Sequence, residues 1–283
     1  SGERIDGEIS LGDVDALVLG VMKEFQVPGA AVGVLRDGKV VLAKVYGLRD
    51  STGKLPVTAD TVFAIGSVTK SFTAASCATV VDEGKLDWDK PVHEYLPWFR
   101  LHDPIATELI TARDLLTHRS GLPRHDFIRM STPLARDEFM RRLPYLEPSK
   151  TFRETFQYNN LMYVAAGFLC AERAGMSWED LVRKRLFEPL EMKNSTVAVS
   201  ETQKLADFAR PHVQDGGAAR ATDFYDYQRF GIGPNGAVNS SVHDMLKYLQ
   251  MHLEGGKAGG RQVISQRQMR ELHSGVTATG DGG

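Results

Sequence analysis

Strand-forming patterns are plainest at one place in this sequence, VPGAAVGVLRDGKVVLAKVYG at residues 27–47. Two valine-rich runs flank Asp37-Gly38, a combination typical of a two-residue turn between antiparallel strands. Such a hairpin alone has unpaired outer edges, and it needs further strands or a helical layer to be stable. The sequence therefore predicts a β-hairpin here, as part of a sheet that other elements must complete and cover.

Helical patterns account for most of the remaining chain. Residues 11–26 have a near-helical apolar period, and an amphipathic run farther along stops at Gly84. Between residues 85 and 235 the pattern indicates helices and loops, including a strongly apolar helix that ends at Gly175. Further helix starts are predicted by capping pairs and one first-turn proline: Thr111 with Asp114, Pro133 after Thr132, Ser177 with Asp180, Ser241 with Asp244, and Ser265 with Gln268.

Composition argues against several classes of function. Of the 283 residues, 42% are apolar and 25% charged, and the net charge of −2 comes from interspersed acids and bases, so no cationic surface for nucleic acid is expected. The longest apolar stretch, residues 161–171, is shorter than the ~20 residues of a membrane span. Cys77 and Cys170 lie in apolar helical patterns, which favours buried thiols over a disulfide or a metal site. We expect no metal and no cofactor, and the cellular compartment stays open.

A candidate catalytic pair lies in FAIGSVTKSF, where Ser67 and Lys70 are three residues apart. On a helix this spacing brings the two Cβ atoms within about 5 to 6 Å, so the lysine could serve as base for a serine nucleophile. Ser51 and Lys54 have the same spacing in a turn, where no helix holds them together. The motif alone is equally compatible with a helix-capping serine beside a solvated lysine.

Tyr158 and Asn160, in FQYNNLMY, form a second candidate group. A loop tyrosine whose pKa is lowered by a nearby lysine can transfer a proton, and an asparagine amide can bind a substrate carbonyl. By itself, this stretch is better explained as a capped helix start preceded by an amphipathic tyrosine.

In their order along the chain, these stretches resemble one family. Ser67-Val-Thr-Lys70, Tyr158-Asn-Asn160, the preceding hairpin, GKLDWDKPVHEYLP and DLLTHRSGLP resemble the class C β-lactamase-like serine hydrolases. That group includes β-lactamases, D-Ala-D-Ala carboxypeptidases, D-amino-acid peptidases and esterases. The resemblance implies Ser67 as the acyl-accepting nucleophile and Lys70 as its proton partner. It implies Tyr158 as general base and acid, and Asn160 as the contact to a substrate amide.

The resemblance also implies an α+β fold, in which an antiparallel sheet flanked by helices joins a mainly helical region and the site lies between these two parts. Residues 1–84 and 237–283 would form the α/β part, and residues 85–236 a mainly helical part. The backbone N–H of Ser67 would supply half of an oxyanion hole. DLLTHRSGLP would be mainly architectural, with no catalytic role for His118.

A third motif of the family, Lys-Thr-Gly or His-x-Gly on a strand, has no convincing copy. His273-Ser274-Gly275 matches the letters but follows a predicted helix. The further strands that the family sheet has after this motif are not visible either. We therefore expect residues 1–283 to be the N-terminal portion of one catalytic domain, with a C-terminal companion polypeptide completing the sheet and the cleft wall.

The expected function is a serine hydrolase acting through an acyl-enzyme on peptides with D-residues or on esters, with penicillin-binding capacity. The alternative is a catalytically silent scaffold or binding protein that has lost the third motif. A Ser/His/Asp hydrolase using His118 or His125 is disfavoured because the sequence contains no G-x-S-x-G elbow. Metal-dependent hydrolysis is disfavoured because no H-E-x-x-H or clustered ligand set is present.

Overall fold

A computed structural model describes residues 11–126, 134–224 and 233–279. The strands are β1 Gly29–Arg36, β2 Lys39–Asp50, β3 Leu55–Pro56, β4 Phe63–Ala64, β5 His212–Asp215, β6 Ala218–Ala221, β7 Asn239–Ser240, β8 Lys257–Ala258 and β9 Arg261–Gln262. The helices are α1 Leu11–Glu24, α2 Thr69–Asp82, α3 Val92–Tyr95, α4 Pro104–Leu109, α5 Ala112–Leu116, α6 Arg136–Arg141, α7 Asn160–Ala174, α8 Trp178–Val182, α9 Val199–Thr202, α10 Val242–Leu253 and α11 Gln266–Leu272.

The predicted hairpin is confirmed. β1 and β2 pair antiparallel, and Asp37 and Gly38 form the turn with φ angles of 50° and 71°, as a two-residue hairpin turn requires. β3 adds to the far side of β2, which leaves β1 at the edge of the three-stranded sheet in the described parts of the chain. α10 packs against β1, so one helical layer covers this sheet. The mixed helical and antiparallel architecture is the one predicted.

α2 and α7 pack against each other in the middle of the hydrophobic core. α2 buries Phe72 completely, and its ring stacks on Tyr248 of α10 with centroids 3.9 Å apart. α7 is apolar on nearly all sides because other helices surround it. No helix in the described ranges is long and apolar enough to cross a bilayer.

Most of the predicted helix ends are confirmed. Thr111 and Asp114 form a reciprocal capping box at the start of α5. The hydroxyls of Ser177, Ser241 and Ser265 each accept a hydrogen bond from the backbone N–H three residues later. The helix predicted at Pro133 lies outside the described residues.

The interpretation of residues 85–235 as helices and loops alone was wrong at one place. β5 and β6 form a small antiparallel hairpin around Gly216-Gly217. The glycine pair is a hairpin-turn signal, but the short flanking runs lack the valine-rich alternation that marks β1 and β2. Non-local contacts support the hairpin, since Nε2 of His212 accepts a hydrogen bond from the backbone N–H of Ser51.

The prediction of free, buried thiols was also wrong. Cys77 on α2 and Cys170 on α7 form a disulfide, with their Cα atoms 5.4 Å apart and a sequence separation of 93. Both residues are completely buried, as predicted. Their pairing depends on the packing of the two helices, which the local sequence patterns do not report.

Loss of this disulfide is expected to destabilise the fold. We expect the double substitution Cys77→Ala with Cys170→Ala to lower the free energy of unfolding by about 2 to 5 kcal/mol, because the cross-link restricts a long loop of the unfolded chain. Urea unfolding of both proteins measures the difference. Repeating it with a reductant controls for lost packing, since reduction destabilises only the disulfide-bonded protein. Equal stability without reductant would contradict this assignment.

Candidate active site

Three predicted site residues come together where α2 begins. Ser67 lies in a 3₁₀ turn, Gly66–Val68, immediately before α2, and its Oγ is 2.8 Å from the hydroxyl of Tyr158. Lys70 donates a hydrogen bond from Nζ to the same Oγ over 3.1 Å. The Ser67 hydroxyl makes no helix-capping bond. It can therefore donate a proton toward one neighbour while it accepts from the other.

Lys70 is a buried residue with only 7% of its surface exposed, unlike a solvated first-turn lysine. Its Nζ also donates to the backbone oxygen of Asn235 over 2.8 Å. The neighbouring Pro234 fits against Gly167 of α7, where a Cβ would approach the proline ring within 2.4 Å. The hydroxyl of Thr73 donates to the Pro234 oxygen. Sequence reasoning missed Asn235, because it acts through its backbone oxygen and no side-chain pattern signals that.

Neighbouring groups lower the pKa of the Tyr158 hydroxyl. Burial would raise its pKa, but hydrogen bonds with Lys70 and Ser67 and the charges of Lys70 and Arg124 lower the pKa overall from the usual tyrosine value. Lys70 Nζ and the Arg124 guanidinium carbon each lie 4.9 Å from the Tyr158 ring centroid. Two cations therefore favour the phenolate form that a base requires.

Asn159 and Asn160 have different partners. Asn159 caps α7 by accepting from the backbone of Met162, and its amide nitrogen donates to the carbonyl oxygens of Leu122 and Pro123. Asn160 is 5% exposed, and its Nδ2 donates to Asp126 over 2.8 Å. The Asn159 cap thus fixes the backbone next to Tyr158, and Asn160 is the first residue of α7.

His118 supports Tyr158 and makes no hydrogen bond to Ser67 in the described structure. Its ring stacks on the Tyr158 ring with centroids 4.5 Å apart. Its Nδ1 accepts from the backbone N–H of Asn159 over 3.0 Å, so Nε2 carries the proton of the neutral ring. Burial and the charge of Lys70 lower the pKa of His118 to about 4, and the imidazole is neutral at physiological pH. This arrangement agrees with an architectural residue.

A buried carboxylate holds the segment that carries His118. Asp114 is fully buried and accepts hydrogen bonds from Arg119, Arg153 and Thr111. Gly121, with φ of 83°, lets the loop pass Lys150 so closely that a Cβ would lie 2.3 Å from the Lys150 oxygen. The DLLTHRSGLP stretch is thus fixed at both ends.

His273-Ser274-Gly275 has other hydrogen-bond partners. His273 follows α11, and its Nε2 is 3.0 Å from Nδ1 of His252 on α10. The Ser274 hydroxyl donates to the backbone oxygen of Glu271. The stretch does not form a strand, and the described residues place it in no hydrogen bond with Ser67, Lys70 or Tyr158.

Comparison with known proteins decides the family. The family described as Beta-lactamase matches residues 14–283. The chain belongs to the beta-lactamase family. The octameric penicillin-binding protein homologue of Pyrococcus abyssi superposes with a TM-score of 0.82 at 30% identity, covering 94% of this chain and 60% of that one. The D-alanine carboxypeptidase AmpC of Burkholderia cenocepacia superposes with a TM-score of 0.72 at 25% identity, and the match covers 92% of this chain and 67% of that one.

A curated relative of this beta-lactamase-family chain is an unguisins hydrolase of Aspergillus campestris, 32% identical over 215 residues. The match covers 72% of this chain and 38% of that protein. The chain therefore spans less than half the length of this relative. These comparisons support a family of serine hydrolases and confirm the fold class.

Asp114 provides a test of the supporting network. Burial would raise the pKa of Asp114, but hydrogen bonds from Arg153 and Thr111 lower it overall. A lowered folded-state pKa means that the carboxylate stabilises the fold above its unfolded pKa of about 3.9, and that this contribution is lost as the pH falls through the folded value. We expect Asp114→Asn to cost about 2 to 3 kcal/mol at pH 7, since both arginines are partly solvated.

Urea unfolding at pH 7 and pH 3 measures this effect. The difference in the free energy of unfolding between Asp114→Asn and wild type should be smaller at pH 3 than at pH 7. The matched control is Asp180→Asn, which removes a half-exposed carboxylate paired with Arg183 and should cost less than about 1 kcal/mol. Equal losses in the two variants at pH 7 would refute a special role for Asp114.

Proposed function

We propose that this chain carries the acylation machinery of a serine hydrolase, with Ser67 as the nucleophile. The observation that carries the proposal is the single hydroxyl of Ser67 within hydrogen-bonding distance of both Tyr158 and Lys70. A serine hydroxyl needs an adjacent base to attack a carbonyl at neutral pH. Tyr158, with its lowered pKa, is the base in this proposal, and Lys70 is the proton partner that keeps the phenolate favourable.

The proposed reaction has two steps. Ser67 Oγ bonds to the substrate carbonyl carbon while its proton passes to the Tyr158 oxygen, and Tyr158 returns that proton to the departing amine or alcohol. Water, or an acceptor amine, then attacks the acyl-enzyme with Tyr158 again as base and regenerates the Ser67 hydroxyl. The backbone N–H of Ser67 is proposed to donate to the developing oxyanion. Asn160 keeps its amide oxygen and a second N–H for the substrate amide, since one N–H is bonded to Asp126.

The proposed substrates are peptides with D-residues, with esters as the simpler class and penicillins as acylating ligands. The names of two similar proteins support this proposal: an unguisins hydrolase supports hydrolysis, and a D-alanine carboxypeptidase supports peptide substrates with D-residues. A silent scaffold remains the second candidate, because His273-Ser274-Gly275 makes no hydrogen bond with Ser67, Lys70 or Tyr158 in the described structure.

Covalent labelling tests the nucleophile. We expect intact-mass spectrometry to show one adduct per chain after treatment with a fluorophosphonate, and separately with benzylpenicillin. Ser67→Ala should abolish both adducts and lower hydrolysis of an activated ester at least about a thousandfold. The matched control is Ser71→Ala, on the same helix, whose hydroxyl donates to the backbone oxygen of Val68. Adducts that persist without Ser67, or no adduct in wild type, would reject acylation and favour the scaffold.

We also propose that strands from a companion polypeptide complete the sheet at β1. The outer edge of β1, which has no partner strand among the described residues, adjoins an apolar groove of about 390 Å³ against α10, lined by Phe63, Ile65 and Leu246. Several large apolar side chains on α1, just after it and on the hairpin are exposed: Leu17, Leu19, Val21, Phe25, Val34, Val40, Val41 and Val45. An open edge beside exposed apolar surface favours pairing with further strands.

Native mass spectrometry of the protein purified from its source tests the companion. We expect a second polypeptide in a one-to-one complex, with slowed hydrogen exchange in β1 relative to this chain alone. A monodisperse monomer of this chain with full Ser67-dependent activity would contradict the proposal.

A further inference from the structure

Arg124 is an exposed cation beside the proposed base. It follows Pro123, whose carbonyl oxygen accepts from Asn159, and its side chain is 61% exposed. Its guanidinium carbon lies over the Tyr158 ring at 4.9 Å from the centroid. Within the described structure its Nε is hydrogen-bonded to Asp126 over 2.8 Å, and its two terminal amino groups have no protein acceptor.

Asp126 holds Arg124 next to Asn160. One carboxylate oxygen accepts from Arg124 Nε and the other from Asn160 Nδ2, each over 2.8 Å. Because both bonds go to one carboxylate, the guanidinium and the amide are fixed side by side. Asn160 follows Tyr158 by two residues, and the Tyr158 hydroxyl is hydrogen-bonded to Ser67, so this pair lies beside the proposed base.

The charged groups around the Tyr158 ring favour an anion. Lys70 and Arg124 supply two positive charges at 4.9 Å from the ring centre, and Asp126 supplies one negative charge. His118, stacked on the same ring, adds no charge at neutral pH because its pKa is about 4. A guanidinium whose two terminal amino groups have no acceptor among the described residues matches a carboxylate, which accepts two parallel N–H bonds.

We propose that Arg124 is a specificity-determining residue that binds a carboxylate on the acyl part of the substrate, next to the amide held by Asn160. The inference rests on the proposed function, since acylation of Ser67 and the Asn160 contact belong to it. It narrows the substrate class to esters and amides of acyl groups that end in a carboxylate. Asp126 acts through Arg124 and Asn160 and is a positioning residue.

Two esters with acyl chains of equal length test the proposal. The 4-nitrophenyl monoester of glutaric acid carries a free carboxylate, and 4-nitrophenyl valerate carries a methyl group in its place. We expect wild type to prefer the glutarate ester in kcat/KM, and Arg124→Gln to lower the ratio of the two values about tenfold or more. Sodium chloride at high concentration should also reduce this ratio, because the contact is partly solvated.

The ratio of the two kcat/KM values separates substrate binding from effects on Tyr158. A change in the base alters kcat/KM for both esters by the same factor and leaves their ratio unchanged. The matched control is Arg142→Gln, which removes an arginine of similar exposure paired with Glu138 and should leave the ratio unchanged. A ratio unchanged by Arg124→Gln, or lowered equally by Arg142→Gln, would overturn the proposal.

A second measurement keeps the inference separate from the proposed chemistry. If wild type hydrolyses neither ester, the serine hydrolase proposal fails, but calorimetric titration with glutarate monoamide and valeramide still tests the anion site. We expect Ser67→Ala to bind the monoamide about tenfold more tightly than valeramide, and Arg124→Gln added to it to remove that difference. Equal binding of the two amides to Ser67→Ala would overturn the carboxylate site.

Discussion

The packing of α2 on α7 is the interaction on which the site depends. Ser67 stands at the start of one helix and Tyr158 immediately before the other, 91 residues apart in sequence but 2.8 Å apart at their hydroxyls. The Cys77–Cys170 disulfide joins the same two helices within the core. Because the helices are buried against each other, the two hydroxyls are positioned by a rigid scaffold rather than by loop contacts alone.

Around this pair, the structure uses buried polar groups to hold backbone segments in place. Asp114 binds Arg119 and Arg153, and Asn159 binds the carbonyl oxygens of Leu122 and Pro123. These contacts bring a neutral His118 against the Tyr158 ring. The result is a tyrosine that is restrained on its ring faces while its hydroxyl stays available to Ser67, as a preorganised proton acceptor requires.

The electrostatic arrangement also connects the chemistry to substrate choice. The positive charges of Lys70 and Arg124 lower the pKa of Tyr158, and Arg124, held beside Asn160 by Asp126, is the residue proposed to bind an acidic acyl chain. In this proposal one arginine influences both the base and the bound substrate. The two roles are separated by the ratio of kcat/KM for two substrates, because a change at the base alters kcat/KM for both substrates by the same factor.

The sequence by itself determined the hairpin at Asp37-Gly38, the capped helix starts and the identity of the Ser67, Lys70, Tyr158 and Asn160 motifs. Those features depend on residues close together in the chain, whose turn chemistry and capping bonds are local. Whether Ser67 caps a helix, and whether Lys70 is solvated, remained open in the sequence, since both answers need a partner from elsewhere. Only the tertiary structure decided the Cys77–Cys170 disulfide, the contact of Lys70 with the Asn235 oxygen and the Arg124–Asp126–Asn160 arrangement. Each of these joins separate segments, and their proximity follows from how helices pack, which no local pattern encodes.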